Sequence, residues 1–215
     1  MIEAFLKAKH WQLFVIMFGI PMILQFTIMG MVISNVIVSN GQPNIELMFD
    51  YYKLIPLIMI ISYGFYFGWF WSIVMGLKDK LPETVKINIL RFKIFFFVPL
   101  IYMVFISAII YYSYTVNLFV NFDHNTPPSF VPNIETVLML VAIFVPIHFF
   151  SIFCIYYVMY ISAKIIKSIE LNRNVSFGDF IGEFVMFWFY PIGIWFLQPK
   201  INRMIKDDTI GVNPY

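Results

Sequence analysis

Residues 11–38 read WQLFVIMFGIPMILQFTIMGMVISNVIV, 28 consecutive positions without a charged side chain. The hydrocarbon core of a bilayer takes about 20 helical residues. The stretch is therefore long enough to cross it and overhang at one end. It is too long for a signal-peptide core, and no small-x-small cleavage site follows it. It reads as a first spanning helix, and residues 54–76, 94–116 and 136–161 repeat the pattern. The whole chain agrees. Of its 215 residues 61% are hydrophobic, 20% aromatic and only 12% charged, with a mean hydropathy of +0.83. Soluble domains run at roughly half apolar and about a quarter charged, which disfavours a water-soluble enzyme, a disordered chain and a nucleic-acid binder. The expected fold is all-α, a single polytopic membrane helical bundle.

The net charge of +2 is too small to imply an anionic partner, but the placement of the cations is informative. Lys7 and Lys9 precede the first span. Lys78, Lys80, Lys86, Arg91 and Lys93 lie between the second and third, and Lys164, Lys167 and Arg173 follow the fourth. The two other connections, 39–53 and 117–135, are rich in Asn, Pro and Gly and hold only Lys53. Cytoplasmic loops carry the Lys/Arg excess, so both termini are expected on the cytoplasmic side. The single N-x-S sequon, Asn174-Val-Ser176, falls on that side too and argues nothing for glycosylation.

The last apolar segment, 180–197, contains Glu183 and a Pro191-Ile-Gly193 break. If it spanned the bilayer, Lys200, Arg203 and Lys206 would lie outside, against the charge rule. Residues 177–206 therefore read as a re-entrant or interfacial element, with a fifth span as the alternative. A capping-box pattern, Ser176-Phe-Gly-Asp179, marks where its helix begins.

Three features could carry recognition. Gly64, Gly68, Ser72 and Gly76 recur every four residues and make a narrow ridge on the second span, which lets another helix approach closely. A seam inside this bundle is the plainer reading and a homo-oligomer or partner seam the sharper one; the neighbouring Phe67 reads as lipid-facing or loosely packed. The second feature is polar groups at mid-depth. Gln25 and His148 are costly in hydrocarbon unless paired, and Tyr63, Tyr66, Tyr102 or Ser107 could pair with them. Interhelix glue is the structural reading, a proton relay or bound polar head the functional one. The third is the cytoplasmic rim, where Lys164, Lys167, Arg173, Lys200, Arg203 and Lys206 could meet anionic lipid heads. Trp69, Trp71, Trp188 and Trp195 fit interfacial anchoring.

No metal or nucleophile constellation is found. His10, His124 and His148 fall at three different depths, and Asp123-His124 reads as a solvated turn. A lone cysteine, Cys154, excludes an intrachain disulfide and a CxxC pair. No catalytic residue, metal or cofactor is expected. Pro21, Pro99 and Pro191, with Pro56 and Pro146, outline a weak internal repeat of the kind transporters use; proline is also simply tolerated in membrane helices.

The runs Phe177-Gly-Asp-Phe-Ile-Gly-Glu-Phe184 and Phe189-Tyr-Pro-Ile-Gly-Ile-Trp-Phe-Leu-Gln-Pro-Lys-Ile-Asn202, with His10-Trp-Gln-Leu-Phe14, resemble the ends of a group of small bacterial membrane proteins to which no activity is assigned. The resemblance covers about a quarter of the chain. It implies the bacterial cytoplasmic membrane and transfers no site. The resulting expectation is a non-enzymatic accessory or scaffold subunit binding membrane-protein partners or lipid. The alternatives are a small oligomeric transporter or channel for a lipophilic or weakly polar compound and, third, a lipid-handling membrane enzyme.

Overall fold

The computed structural model describes residues 1–38, 44–115 and 134–210, and they are helical with no strand among them. A short α1 (Ile2–Lys7) and α2 (His10–Phe14) lead through a π-turn, Val15–Gly19, into α3 (Ile20–Val38). A small α4 (Ile45–Tyr52) precedes α5 (Ile55–Leu77), α6 (Ile89–Thr115) and α7 (Ile134–Leu171). Then come α8 (Phe177–Trp188) and α9 (Tyr190–Ile210). Four stretches are long and apolar enough to cross a membrane: His10–Val38, Asp50–Lys80, Ile89–Ser113 and Ile134–Leu171. They give the chain the build of a multi-pass membrane protein. At 1.5 Å per residue, α7 with its 38 residues is about 57 Å long, nearly twice the hydrocarbon thickness.

The packed core sits at one end of the bundle. It joins Leu6 of α1, Phe67, Trp69, Phe70 and Ile73 of α5, Phe92 and Phe96 of α6, and Ile165 of α7 to Phe180, Phe187, Ile194 and Leu197 of the final two helices. At the other end Ile23, Ile37, Ile101, Leu138 and Val141 are exposed. Apolar surface facing lipid carries no penalty, so those halves need no interior partner. A third of the most apolar window of α5 is buried against 11–17% in the other three, which makes α5 the central helix.

The last two helices form a hairpin. The capping interaction that opens α8 is present: the Ser176 backbone N–H and hydroxyl both donate to Asp179 Oδ2, at 2.8 and 2.9 Å. The apolar segment 180–197 is not one continuous helix, because it breaks at Phe189, just ahead of the Pro-Ile-Gly motif, where φ and ψ are −92° and 52°. A β-carbon at Gly193 would overlap the Met186 carbonyl, so glycine is what lets α9 lie this close to α8. At the entry to the hairpin, α7 ends in a Schellman motif. Arg173 N–H donates to Ser168 O and Asn172 N–H to Ile169 O, with Asn172 in the left-handed region at φ 47°.

Candidate functional site

Two prolines and two tyrosines build the centre of the molecule. In a regular helix the Met17 carbonyl would accept from the amide four residues on, but that residue is Pro21, which has no N–H. The chain widens there into the π-turn, a distortion frequent at functional sites. The Tyr190 hydroxyl donates to the Met17 carbonyl, which Pro21 deprives of its ordinary helical donor, at 3.4 Å. The Phe187 carbonyl likewise faces Pro191 four residues later, and the Tyr66 hydroxyl donates to it at 3.4 Å. The Tyr66 and Tyr190 rings lie 5.0 Å apart. Two interrupted backbones thus meet at the hairpin tip, each satisfied by a tyrosine from another element.

Beside this junction is an open cleft of about 680 Å³, walled by the π-turn and α3, by α5, by Met103 of α6, by Ile155 of α7 and by the hairpin tip at Trp188 and Tyr190. Its polar side chains are Gln25, Ser62, Tyr63, Tyr66 and Tyr190. Ser62 donates back to Ile58 O at 2.6 Å. Gln25 and Tyr63 make no hydrogen bond to any other described residue. A largely apolar concavity with a few convergent polar groups is the usual form of a small-molecule site. The cleft offers an amide, with both donor and acceptor, and a phenol, and among the described residues its lining includes no carboxylate, histidine or cysteine.

His148 and Gln25 do not meet. His148 Nδ1 lies 2.9 Å from the Tyr102 hydroxyl, and the pair sits on the outward face between α6 and α7, away from the cleft. Ser107 is buried. On the glycine ridge, the missing side chains of Gly68 and Gly76 accommodate α1: a β-carbon at Gly68 would stand 2.9 Å from the Phe5 ring, and one at Gly76 would run into Leu6. Ser72 is buried and back-bonds to Gly68 O at 2.7 Å. Gly64 has nothing within 4 Å of the corresponding position. Phe67, expected to face lipid or pack loosely, is only 1% exposed in the core and packs edge-on against Phe96 at 5.5 Å.

Trp69 corrects a second expectation. It is not an interfacial anchor but fully buried, with Nε1–H donating to Gln198 Oε1 at 2.9 Å. Gln198 was not singled out from the sequence, yet it ties three elements together. The two N–H bonds of its amide nitrogen are shared among the carbonyls of Phe5, Leu6 and Ala8, at 3.0–3.2 Å, and Asn202 Oδ1, at 3.0 Å. The amide orientation follows from chemistry, because an indole N–H can only donate and a carbonyl can only accept. The α1 C-terminus, whose last carbonyls have no helical partners, is capped by α9. His10 meets Trp195 at a tilt and Phe14 meets it edge-on, with centroids 4.6 and 5.7 Å apart, so α2 packs on α9.

The rim cations separate into two kinds. Lys167 and Lys200 share Glu170 and the buried Glu183, with contacts of 2.9–3.4 Å that join α7, α8 and α9. Burial pushes the Glu183 carboxyl up, but Lys200 and Lys167 outweigh it and hold it below its ordinary value. Arg173 forks onto Asp179 at 3.0 and 3.3 Å, and with the Ser176 bonds this lowers the Asp179 carboxyl to about 2. Lys164 and Arg203 make no ion pair with a described carboxylate, and Lys206 lies near the end of the described chain. Trp188 and Trp195 are about half exposed. Among the described residues no three His, Cys, Asp or Glu side chains gather as a metal site, and Asp123 and His124 lie outside them. No family model, curated protein or solved structure is significantly similar to this chain.

Proposed function

We propose that the protein is a non-enzymatic accessory subunit of the bacterial cytoplasmic membrane that holds a lipid-like, amphipathic molecule in the cleft at the hairpin tip. The observation that carries this is the pair Gln25 and Tyr63, polar groups at mid-bundle without protein partners, lining a cleft of about 680 Å³. Polar groups left unmatched in hydrocarbon cost free energy, and a ligand with one or two hydrogen-bonding groups on an apolar body would remove that cost. In this arrangement α8 and α9 enter from the cytoplasmic side as a re-entrant or interfacial hairpin, and both termini are cytoplasmic.

The test is native mass spectrometry of the protein extracted in a mild detergent. Wild type should retain a small amphipathic molecule that Gln25→Leu/Tyr63→Phe loses, while the melting temperatures of the delipidated proteins agree. Identical retained species in both would refute the proposal. A second reading, a small oligomeric transporter, draws on a specific feature: the cleft is built where two backbones are interrupted, at Pro21 and Pro191, and transporters place substrate sites at broken helices. Flux into vesicles containing the reconstituted protein separates the two.

A further inference from the structure

On the face formed by α7 and α8 lies a second groove, about 300 Å³, walled entirely by aromatic rings: Phe153, Tyr156, Tyr157, Tyr160, Phe177 and Phe184. Tyr160 and Phe177 lie nearly parallel with centroids 6.2 Å apart, and Phe177 meets Phe184 edge-on at 5.8 Å. Helices α6 and α7 run antiparallel past this groove, with Phe105 against Phe144, Tyr102 against His148 and Phe95 against Tyr157 at 4.6 Å. One turn before Phe95, which packs on Tyr157, stands Arg91 on the same helix face. One turn beyond Tyr160, on the same helix face, stands Lys164. Both cations are therefore at the end of the groove nearest the charged rim.

Neither of the two cations flanking the groove is neutralised. Lys167, Lys200 and Arg173 are held by Glu170, Glu183 and Asp179, whereas Arg91 and Lys164 form no ion pair with a described carboxylate. Two uncompensated cations beside an open aromatic slot match a phosphate head on an apolar chain. A zwitterionic head would bring its own ammonium group against them.

We propose that Arg91 and Lys164 bind the phosphate of an anionic phospholipid whose acyl chain lies in the aromatic groove between α7 and α8. This site is separate from the hairpin-tip cleft and does not depend on it.

The experiment compares dioleoylphosphatidylglycerol with dioleoylphosphatidylcholine, titrated onto the full-length protein in mild detergent and read by native mass spectrometry. Near a membrane surface each cation favours an anionic head severalfold, so the wild type should prefer phosphatidylglycerol by roughly tenfold. Arg91→Gln/Lys164→Gln should bring the preference within about twofold, while Lys9→Gln/Lys86→Gln, which removes equal charge elsewhere, keeps it. The cleft variant Gln25→Leu/Tyr63→Phe should also keep it. Inorganic phosphate at millimolar concentration should not displace the lipid. Retention of the preference by Arg91→Gln/Lys164→Gln, or displacement by free phosphate, overturns the proposal. If that double variant does not fold, Lys164→Gln alone should show an intermediate preference, and an unchanged one overturns the proposal equally.

Discussion

Replacing Gln198 by leucine perturbs the point where the two ends of the chain are joined. The Trp69 indole N–H is fully buried and has the Gln198 carbonyl oxygen as its acceptor. Leaving that donor unmatched costs about 1–3 kcal/mol. The Phe5 and Leu6 carbonyls lose their donor as well, whereas Ala8 O keeps the one from Asn202 at 3.1 Å. They lie near the rim and add roughly 1 kcal/mol. Leucine is similar in volume to glutamine, so no large cavity offsets or adds to this. The expected loss is about 2–4 kcal/mol, concentrated in the attachment of α1. Unfolding in mixed detergent micelles measures it globally, and the maleimide reactivity of a Leu6→Cys background measures it locally. Leu6 is 6% exposed in the native state. A loss of about 2 kcal/mol raises the open fraction roughly 30-fold, and the labelling rate with it. Gln198→Glu refines the test. A carboxylate can still accept from Trp69 but faces three carbonyl oxygens without a donor. Its proton is held more tightly in the folded state than in the unfolded chain, so stability should rise as pH falls. A Gln198→Leu protein within about 0.5 kcal/mol of wild type, with unchanged labelling of the introduced cysteine, would refute the reasoning.

Three other expectations follow from the geometry. Gly193→Ala meets the Met186 backbone, which cannot yield, and should cost about 1–3 kcal/mol; Gly64→Ala meets nothing within 4 Å and should be neutral or gain up to about 1 kcal/mol of helix propensity. Equal melting of the two variants would remove Gly193 from the hairpin's account. Ser168 is fully buried with a hydroxyl that has no partner among the described residues, so Ser168→Ala should hold or raise the melting temperature, and a clear fall would reveal a missing acceptor. Asp179 titrates near 2 in the folded protein against an ordinary 3.8. Its contribution is therefore complete above about pH 4 and disappears as pH falls toward 2, and in a melting series across that window Asp179→Asn should be flatter than wild type.

The four long apolar helices were legible because a charge in hydrocarbon has so few compensations that a charge-free run such as 11–38 stands out in the chain. The capping pair Ser176 and Asp179 was legible for a related reason, since its geometry is local to one turn. The ridge of Gly68 and Gly76 announced a close approach, but not that its occupant is α1 of the same chain. Trp69 and Phe67 were misjudged because, in lipid, the residues that face a neighbouring helix and those that face hydrocarbon are equally apolar, and hydropathy cannot rank the two sides of a spanning helix.

Long-range pairing was hidden for the same reason. Trp69 and Gln198 stand 129 positions apart, and no spacing rule connects them. The Met17 carbonyl is freed by Pro21, a fact visible in the chain, but that Tyr190 should be the hydroxyl to receive it depends on how the hairpin docks. Gln25 could be recognised as a costly polar group at mid-depth; that it lacks a partner and lines a cleft depends on where α5 and the hairpin tip come to rest. Composition dictates which segments are apolar enough to enter a bilayer, because transfer free energy is a property of each segment alone. Which polar side chains are satisfied is a property of segments brought together, and in this protein that is where the candidate sites arise.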